Sequence, residues 1–194
     1  MLEDMELDPE ELALMGITED SRRLTPRPWG TTIEYLIDSP LEVGRKNITI
    51  ALKEIEEVVS CLRFQEIHDT SNLHKREYIF FKTRESGCQS QIGRRHETYT
   101  KINLDLTVTP EQNCLNVIVI KHEVLHSIGF VHAHMRPDRD SFVKINKDNI
   151  TSKILGNNVK KWNRKDDYRL YSPYDYFSIM HYSHSFIEAD RKST

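Results

Sequence analysis

The stretch KHEVLHSIGFVHAHMR, residues 121–136, constrains this chain more than any other. In a helix, residues four apart share a face. His122 and His126 therefore point the same way, one turn apart. Two imidazoles so placed can share one Zn2+ at about 2.0–2.1 Å each. His132 stands six positions beyond His126. On a continuing helix it would sit roughly 240° further round, at about 100° per residue, and would miss the metal. The helix must end first, and Gly129 is placed to end it, because glycine accepts the left-handed conformation of a helix terminus at little cost. The spacing thus predicts three nitrogen ligands and one position left open for water, the pattern of a catalytic zinc site. Glu123 projects beside the metal, where a carboxylate can take a proton from a water whose pKa zinc has lowered. A lone histidine on an apolar helix is usually a satisfied core residue. HExxH joined to Gly129 and His132 sets that reading aside.

The rest of the composition bounds the frame. At 194 residues the chain suits one domain of ordinary size, with room for a tail. Its 38% hydrophobic and 29% charged content is that of a globular protein. No apolar run reaches the length of a membrane span. A net charge of −3 gives no electrostatic footprint for nucleic acid. Charge is unevenly spread, however. Residues 1–20 carry eight acids and no Lys or Arg, and the remainder has 22 acids against 27 bases. Residues 1–23 therefore read as an acidic propeptide-like or linker segment, and 24–194 as the main domain. A solvated terminus explains the acidic head equally well. Ser21-Arg22-Arg23 in the linker suits a processing protease or an ordinary basic loop. The opening residues are the opposite of a signal peptide. Two sequons, at Asn47 and Asn149, pull weakly towards an extracellular setting.

Along the chain, residues 2–15 suggest a short acidic helix. TTIEYLI (31–37), CLRFQEI (61–67), YIFFKT (78–83) and KINLDLTV (101–108) read as strands. Ile48, Leu52, Ile55 and Val59 recur at helical spacing and predict a core helix over 48–60. RESGCQSQIGRR (84–95) reads as a loop. An apolar helix is expected from about Glu111 to Ile128. Beyond residue 140 the sequence is polar and loop-rich. Trp29 and Trp162 are expected in the core.

HEVLHSIGFVH, then HMRPDRD, then SIMHY at 178–182, resemble the astacin family of metzincin zinc endopeptidases. SCLRF (60–64) and SGCQSQIGR (86–94) extend the resemblance, which covers roughly residues 28–186. It implies an α+β, two-lobed fold, with a twisted mixed sheet and two long helices in the upper lobe and an irregular lower lobe. It implies Met180 as an apolar floor beneath the zinc and Tyr182 as a stabiliser of the oxyanion. It implies one Zn2+ held by His122, His126 and His132, and hydrolysis by metal-activated water with Glu123 as general base. The expected partner is a peptide or protein substrate, extended along an edge strand by strand addition. A secreted location follows from the same resemblance, as does a Cys88–Cys114 disulfide, with Cys61 left over.

Four departures qualify it. Ala133 stands where the family usually has the Glu that pairs with the mature amino terminus. That pair cannot form here, so the chain around 22–28 is expected to stay exposed or to take another course. The cysteine that would pair with Cys61 is missing, and only 12 residues follow Tyr182, so the domain reads as incomplete at its C-terminus. No signal peptide is present. No FxGD-like motif selects among Asp4, Asp8 and Asp20 as a zinc-blocking aspartate. An active endopeptidase is the favoured reading, and the alternative is a truncated, non-catalytic protein that binds peptides or folds poorly. Arg94 and Arg95 suit either a solvated loop or a cleft that attracts acidic peptides. For His134, His181 and His184, surface or packing roles outweigh metal binding.

Overall fold

The computed structural model describes residues 5–6, 29–94, 99–107, 113–145, 159–162 and 172–182. The described residues fall into two compact units, one up to Phe130 and one from Val131.

The first unit is built on a six-stranded mixed sheet: β1 (Met5–Glu6), β2 (Thr32–Ile37), β3 (Arg63–Glu66), β4 (Tyr78–Lys82), β5 (Cys88–Gln91) and β6 (Tyr99–Leu104). Its spatial order is β1-β5-β6-β4-β2-β3. The β2–β3, β2–β4, β4–β6 and β1–β5 pairs are parallel, and β5–β6 is antiparallel. Side chains alternate across a strand, and here Ile33, Tyr35 and Ile37, Ile79 and Phe81, and Ile102 and Leu104 turn to one face. The helices α1 (Arg45–Val58) and α2 (Val117–Ser127) supply most of the rest of that core, and Leu41, Cys88 and Cys114 complete it. In α1 the buried residues are Ile48, Ala51, Leu52 and Ile55, the i, i+3, i+4, i+7 stripe of an amphipathic helix. Lys121 Nζ meets Glu54 Oε2 at 2.6 Å and links the two helices.

Several elements differ from the sequence expectations. Helix α1 starts at Arg45, directly after a 3-10 segment (Ser39–Gly44) capped by the Asp38 carboxylate. Helix α2 starts at Val117, later than expected, because Asn116 caps it by accepting from the Ile118 N–H at 2.8 Å. Cys88–Gln91, expected as loop, is a strand. Met5–Glu6, expected as helix, is also strand, since pairing with Ser90–Gln91 satisfies backbone that a short isolated helix holds only marginally. The remaining readings of residues 1–28, together with those at Arg95, Asn149 and His184, lie outside the described residues. Asn47 lies in α1, and its amide donates to the Leu115 carbonyl at 2.8 Å. Cys88 and Cys114 form a disulfide, and Cys61 is free and exposed. Among the described residues no helix is long and apolar enough to cross a membrane.

The described part of the second unit is irregular apart from two 3-10 turns, Ala133–Met135 and Arg139–Ser141. Side-chain hydrogen bonds hold it where regular structure is lacking. Arg139 is buried and donates to the His134 carbonyl (2.8 Å) and the Val159 carbonyl. Arg136 grips Asp138 with Nε (2.9 Å) and Nη2 (2.8 Å), and reaches the Ser172 and Pro173 carbonyls. The guanidinium holds the Asp138 carboxyl below its ordinary range. The RPDRD run thus ties distant loops together through charge-assisted hydrogen bonds. Trp162 is fully buried, as expected.

Candidate metal centre

Helix α2 carries His122, Glu123 and His126, and all three are buried. The two imidazoles sit with ring centroids 4.6 Å apart and planes at 89°. His126 Nδ1 lies 2.7 Å from the Phe130 carbonyl oxygen. A carbonyl only accepts, so Nδ1 carries a proton, and in the neutral imidazole Nε2 then presents its lone pair. This is the tautomer that a metal-binding imidazole needs.

The end of α2 is closely held. The Gly129 N–H (2.8 Å) and the Gly93 N–H (2.9 Å) both donate to the His126 carbonyl. The Phe130 N–H donates to the Leu125 carbonyl at 2.9 Å. The Trp29 indole donates to the Ser127 carbonyl at 2.8 Å. These donors satisfy carbonyls that a helix terminus leaves open. Gly129 has φ of 110°, a conformation that L-residues with a Cβ avoid. Here the helix ends and the chain turns.

His132 is fully buried at the head of the 3-10 turn 133–135. Its ring stacks on His134, with centroids 5.1 Å apart, and the Tyr182 ring lies 4.3 Å away. Ala133 donates its backbone N–H to the Met180 carbonyl at 2.7 Å. That bond needs no side chain, so alanine at 133 keeps it. Met180 is buried, and its N–H is held by Ser178 Oγ at 3.1 Å. The ligand-capable atoms of His122, His126 and His132 all lie within 4.8 Å of one another. Three buried imidazoles, one with its tautomer fixed, make a donor set suited to zinc, whereas an all-oxygen set would suit magnesium or calcium.

The other candidates have partners of their own. His134 is 3% exposed, and its ring packs against those of both His132 and Tyr182. His181 is partly buried and bonded to Tyr174. Arg94 pairs with Glu77. Sequence reasoning alone passes over Tyr174, whose hydroxyl meets His181 Nε2 at 2.8 Å. Nothing in its spacing marks it, because it works across an irregular loop.

Known proteins resemble this chain in sequence and in fold. Low choriolytic enzyme of Oryzias latipes is 34% identical over 163 residues, covering 84% of this chain and 54% of that protein. Meprin A subunit beta of Homo sapiens is 31% identical over 181 residues, covering 93% of this chain and 23% of its own length. The chain thus spans about half of the first relative and about a quarter of the second. Among solved structures, high choriolytic enzyme 1, a hatching-enzyme zinc protease from Oryzias latipes, superposes with a TM-score of 0.65 at 30% identity, covering 79% of this chain and 68% of that one. The fold is therefore the α+β fold expected from the sequence. The model of the Astacin peptidase family matches residues 22–194, and the chain belongs to that family.

Proposed function

We propose that this chain is a zinc-dependent endopeptidase, with one zinc held by His122, His126 and His132, Glu123 as general base and Tyr182 as oxyanion donor. The observation that carries the reading is the buried three-imidazole cluster, on a helix whose next residue after the first histidine is a fully buried carboxylate. When bound, zinc supplies Lewis acidity that polarises a carbonyl and makes water a nucleophile near neutral pH. Glu123 accepts the proton of the attacking water and returns it to the leaving amine. The Tyr182 hydroxyl donates to the oxygen on which negative charge develops. The family membership, and a structural relative described as a zinc protease, support the same chemistry.

The substrate in this reading is a peptide or protein segment added to the sheet edge at β5. Residues 1–23 are read as a propeptide-like segment and 24–194 as the peptidase domain. The parallel pairing of Met5–Glu6 with Ser90–Gln91 supports this, because it occupies the edge that a substrate strand would use. A secreted location fits the disulfide.

The test is Glu123→Gln. Turnover of a quenched-fluorescence peptide should fall by about 10²–10⁴-fold, while one zinc per chain remains by elemental analysis. Undiminished hydrolysis would remove the general-base role. A wild type that binds zinc, melts cooperatively and cleaves no peptide would favour the non-catalytic alternative.

A further inference from the structure

The stretch 172–182 has no regular secondary structure, yet its turns are closely specified. The Asp175 carboxylate accepts from the Phe177 N–H at 2.8 Å, and the Ser178 carbonyl accepts from the His181 N–H at 2.9 Å. Within it, Tyr174 is the fixed point. Its ring stacks on Phe142, with centroids 4.5 Å apart and planes at 11°. The Arg136 guanidinium lies 5.4 Å from the ring centroid, and is itself held by Asp138 and by the carbonyls of Ser172 and Pro173. Burial pushes the Tyr174 phenol above its ordinary pKa, so it stays protonated and able to donate.

From this point a chain of two hydrogen bonds runs to Tyr182. Tyr174 Oη lies 2.8 Å from His181 Nε2, and His181 Nδ1 lies 2.6 Å from the Tyr182 carbonyl oxygen. The carbonyl can only accept, so neutral His181 carries its proton on Nδ1. Nε2 must then accept, and the Tyr174 hydroxyl donates to it. Each bond fixes the direction of the next. At the far end the Tyr182 ring lies 4.3 Å from the rings of both His132 and His134.

We propose that Tyr174 and His181 are positioning residues that fix the Tyr182 backbone and so aim its hydroxyl at the developing oxyanion. The proposal rests on the reading of Tyr182 given above. An oxyanion donor works only if it is held where charge will develop, and small displacements at a reacting centre carry large rate penalties. A group bonded directly to the Tyr182 carbonyl, and braced by a stacked ring, meets that need without touching the substrate.

Two measurements test it on the full chain supplemented with zinc. The first is 15N NMR of the imidazoles at a pH where histidine is neutral. His181 should be in the Nδ1–H form, and the tautomer should shift towards a mixture in Tyr174→Phe. An Nε2–H His181 in wild type overturns the proposal whatever the kinetics show. The second is a kinetic cycle with Tyr174→Phe, which removes one oxygen and keeps the ring stack, in wild-type and Tyr182→Phe backgrounds. In wild type, kcat should fall about 5-fold, the scale of one net hydrogen bond, with KM unchanged. In the Tyr182→Phe background it should fall no further. Equal losses in both backgrounds overturn the positioning role and leave the oxyanion reading of Tyr182 standing. If Tyr182→Phe alone leaves kcat intact, the oxyanion reading itself falls, and positioning falls with it.

Discussion

Breaking the Cys88–Cys114 disulfide should destabilise the first unit by an amount that can be worked out beforehand. The bond joins the start of β5 to the turn that precedes α2, across a sequence separation of 26. A cross-link stabilises mainly by removing loop-closure entropy from the unfolded chain. For a loop of this length the loss is about 12 cal/mol/K, or about 3.5 kcal/mol at 25 °C. In a chain of this size that lowers the melting midpoint by roughly 7–14 °C. The signature lies in the pattern more than in the size. One substitution already opens the loop, so Cys88→Ala, Cys114→Ala and the double variant should each lose about the same free energy. The exposed thiol of Cys61 offers a wrong partner to a cysteine left alone, so the series belongs in a Cys61→Ala background. Urea unfolding at one fixed free-zinc concentration measures it, because bound metal would otherwise shift every value. Both cysteines are buried, and packing at the two sulfurs is the competing explanation. If the double variant loses as much as the two singles together, packing carries the stability and the loop-closure reasoning is wrong. A loss below about 1 kcal/mol would refute it as well.

Gly129→Ala places a Cβ on a residue at φ 110°; it should cost about 1–3 kcal/mol and weaken zinc binding, both read from urea unfolding and a zinc titration. The Asp105 carboxylate accepts from the Gly87 N–H, the Thr107 N–H and the Thr107 hydroxyl, and these bonds depress its pKa. A depressed carboxylate contributes stability above its unfolded pKa of about 3.9 and loses it as pH falls through the folded value. The gap in melting midpoint between wild type and Asp105→Asn should therefore shrink below about pH 4; a gap that widens in acid would contradict the assignment. Chelation should lower the melting midpoint, added zinc should restore it, with about 4 kcal/mol of stability regained at a thousand-fold excess over Kd, and His126→Ala should abolish the response. Removing residues 1–23 should raise kcat/KM on a peptide by freeing the β5 edge, whereas an unchanged value would count against the propeptide-like reading.

The parts of the molecule that can be read from sequence are those where periodicity meets burial. Ile48, Leu52 and Ile55 announce α1 because a helix that packs on a sheet must show one apolar stripe. The histidine spacing and Gly129 announce the cluster because few backbone paths bring three such side chains together. Strand β5 is illegible for the opposite reason. Its inward residues are Cys88 and Ser90, one held by a disulfide and the other a small polar side chain, so no apolar alternation marks it. The start of α2 is misplaced when Pro110 is taken as its boundary, because the capping residue is Asn116. Strand β1 is made by pairing with a distant edge, which no local window contains. In the second unit, Arg136, Asp138 and Arg139 are visible in the sequence only as a motif. The carbonyls of His134, Val159, Ser172 and Pro173 that the two arginines hold become apparent only in the fold, because most of those contacts cross long sequence separations.

The bond from Trp29 to the Ser127 carbonyl also has an optical meaning. The chain has two tryptophans, and one of them donates its indole N–H to the residue immediately after His126. Indole emission responds to hydrogen bonding and to the entry of water. Trp162→Phe would leave Trp29 as a single emitter attached to the end of the helix that carries His122 and His126. Loading and loss of metal could then be followed by light from that helix terminus, without a substrate and without a label.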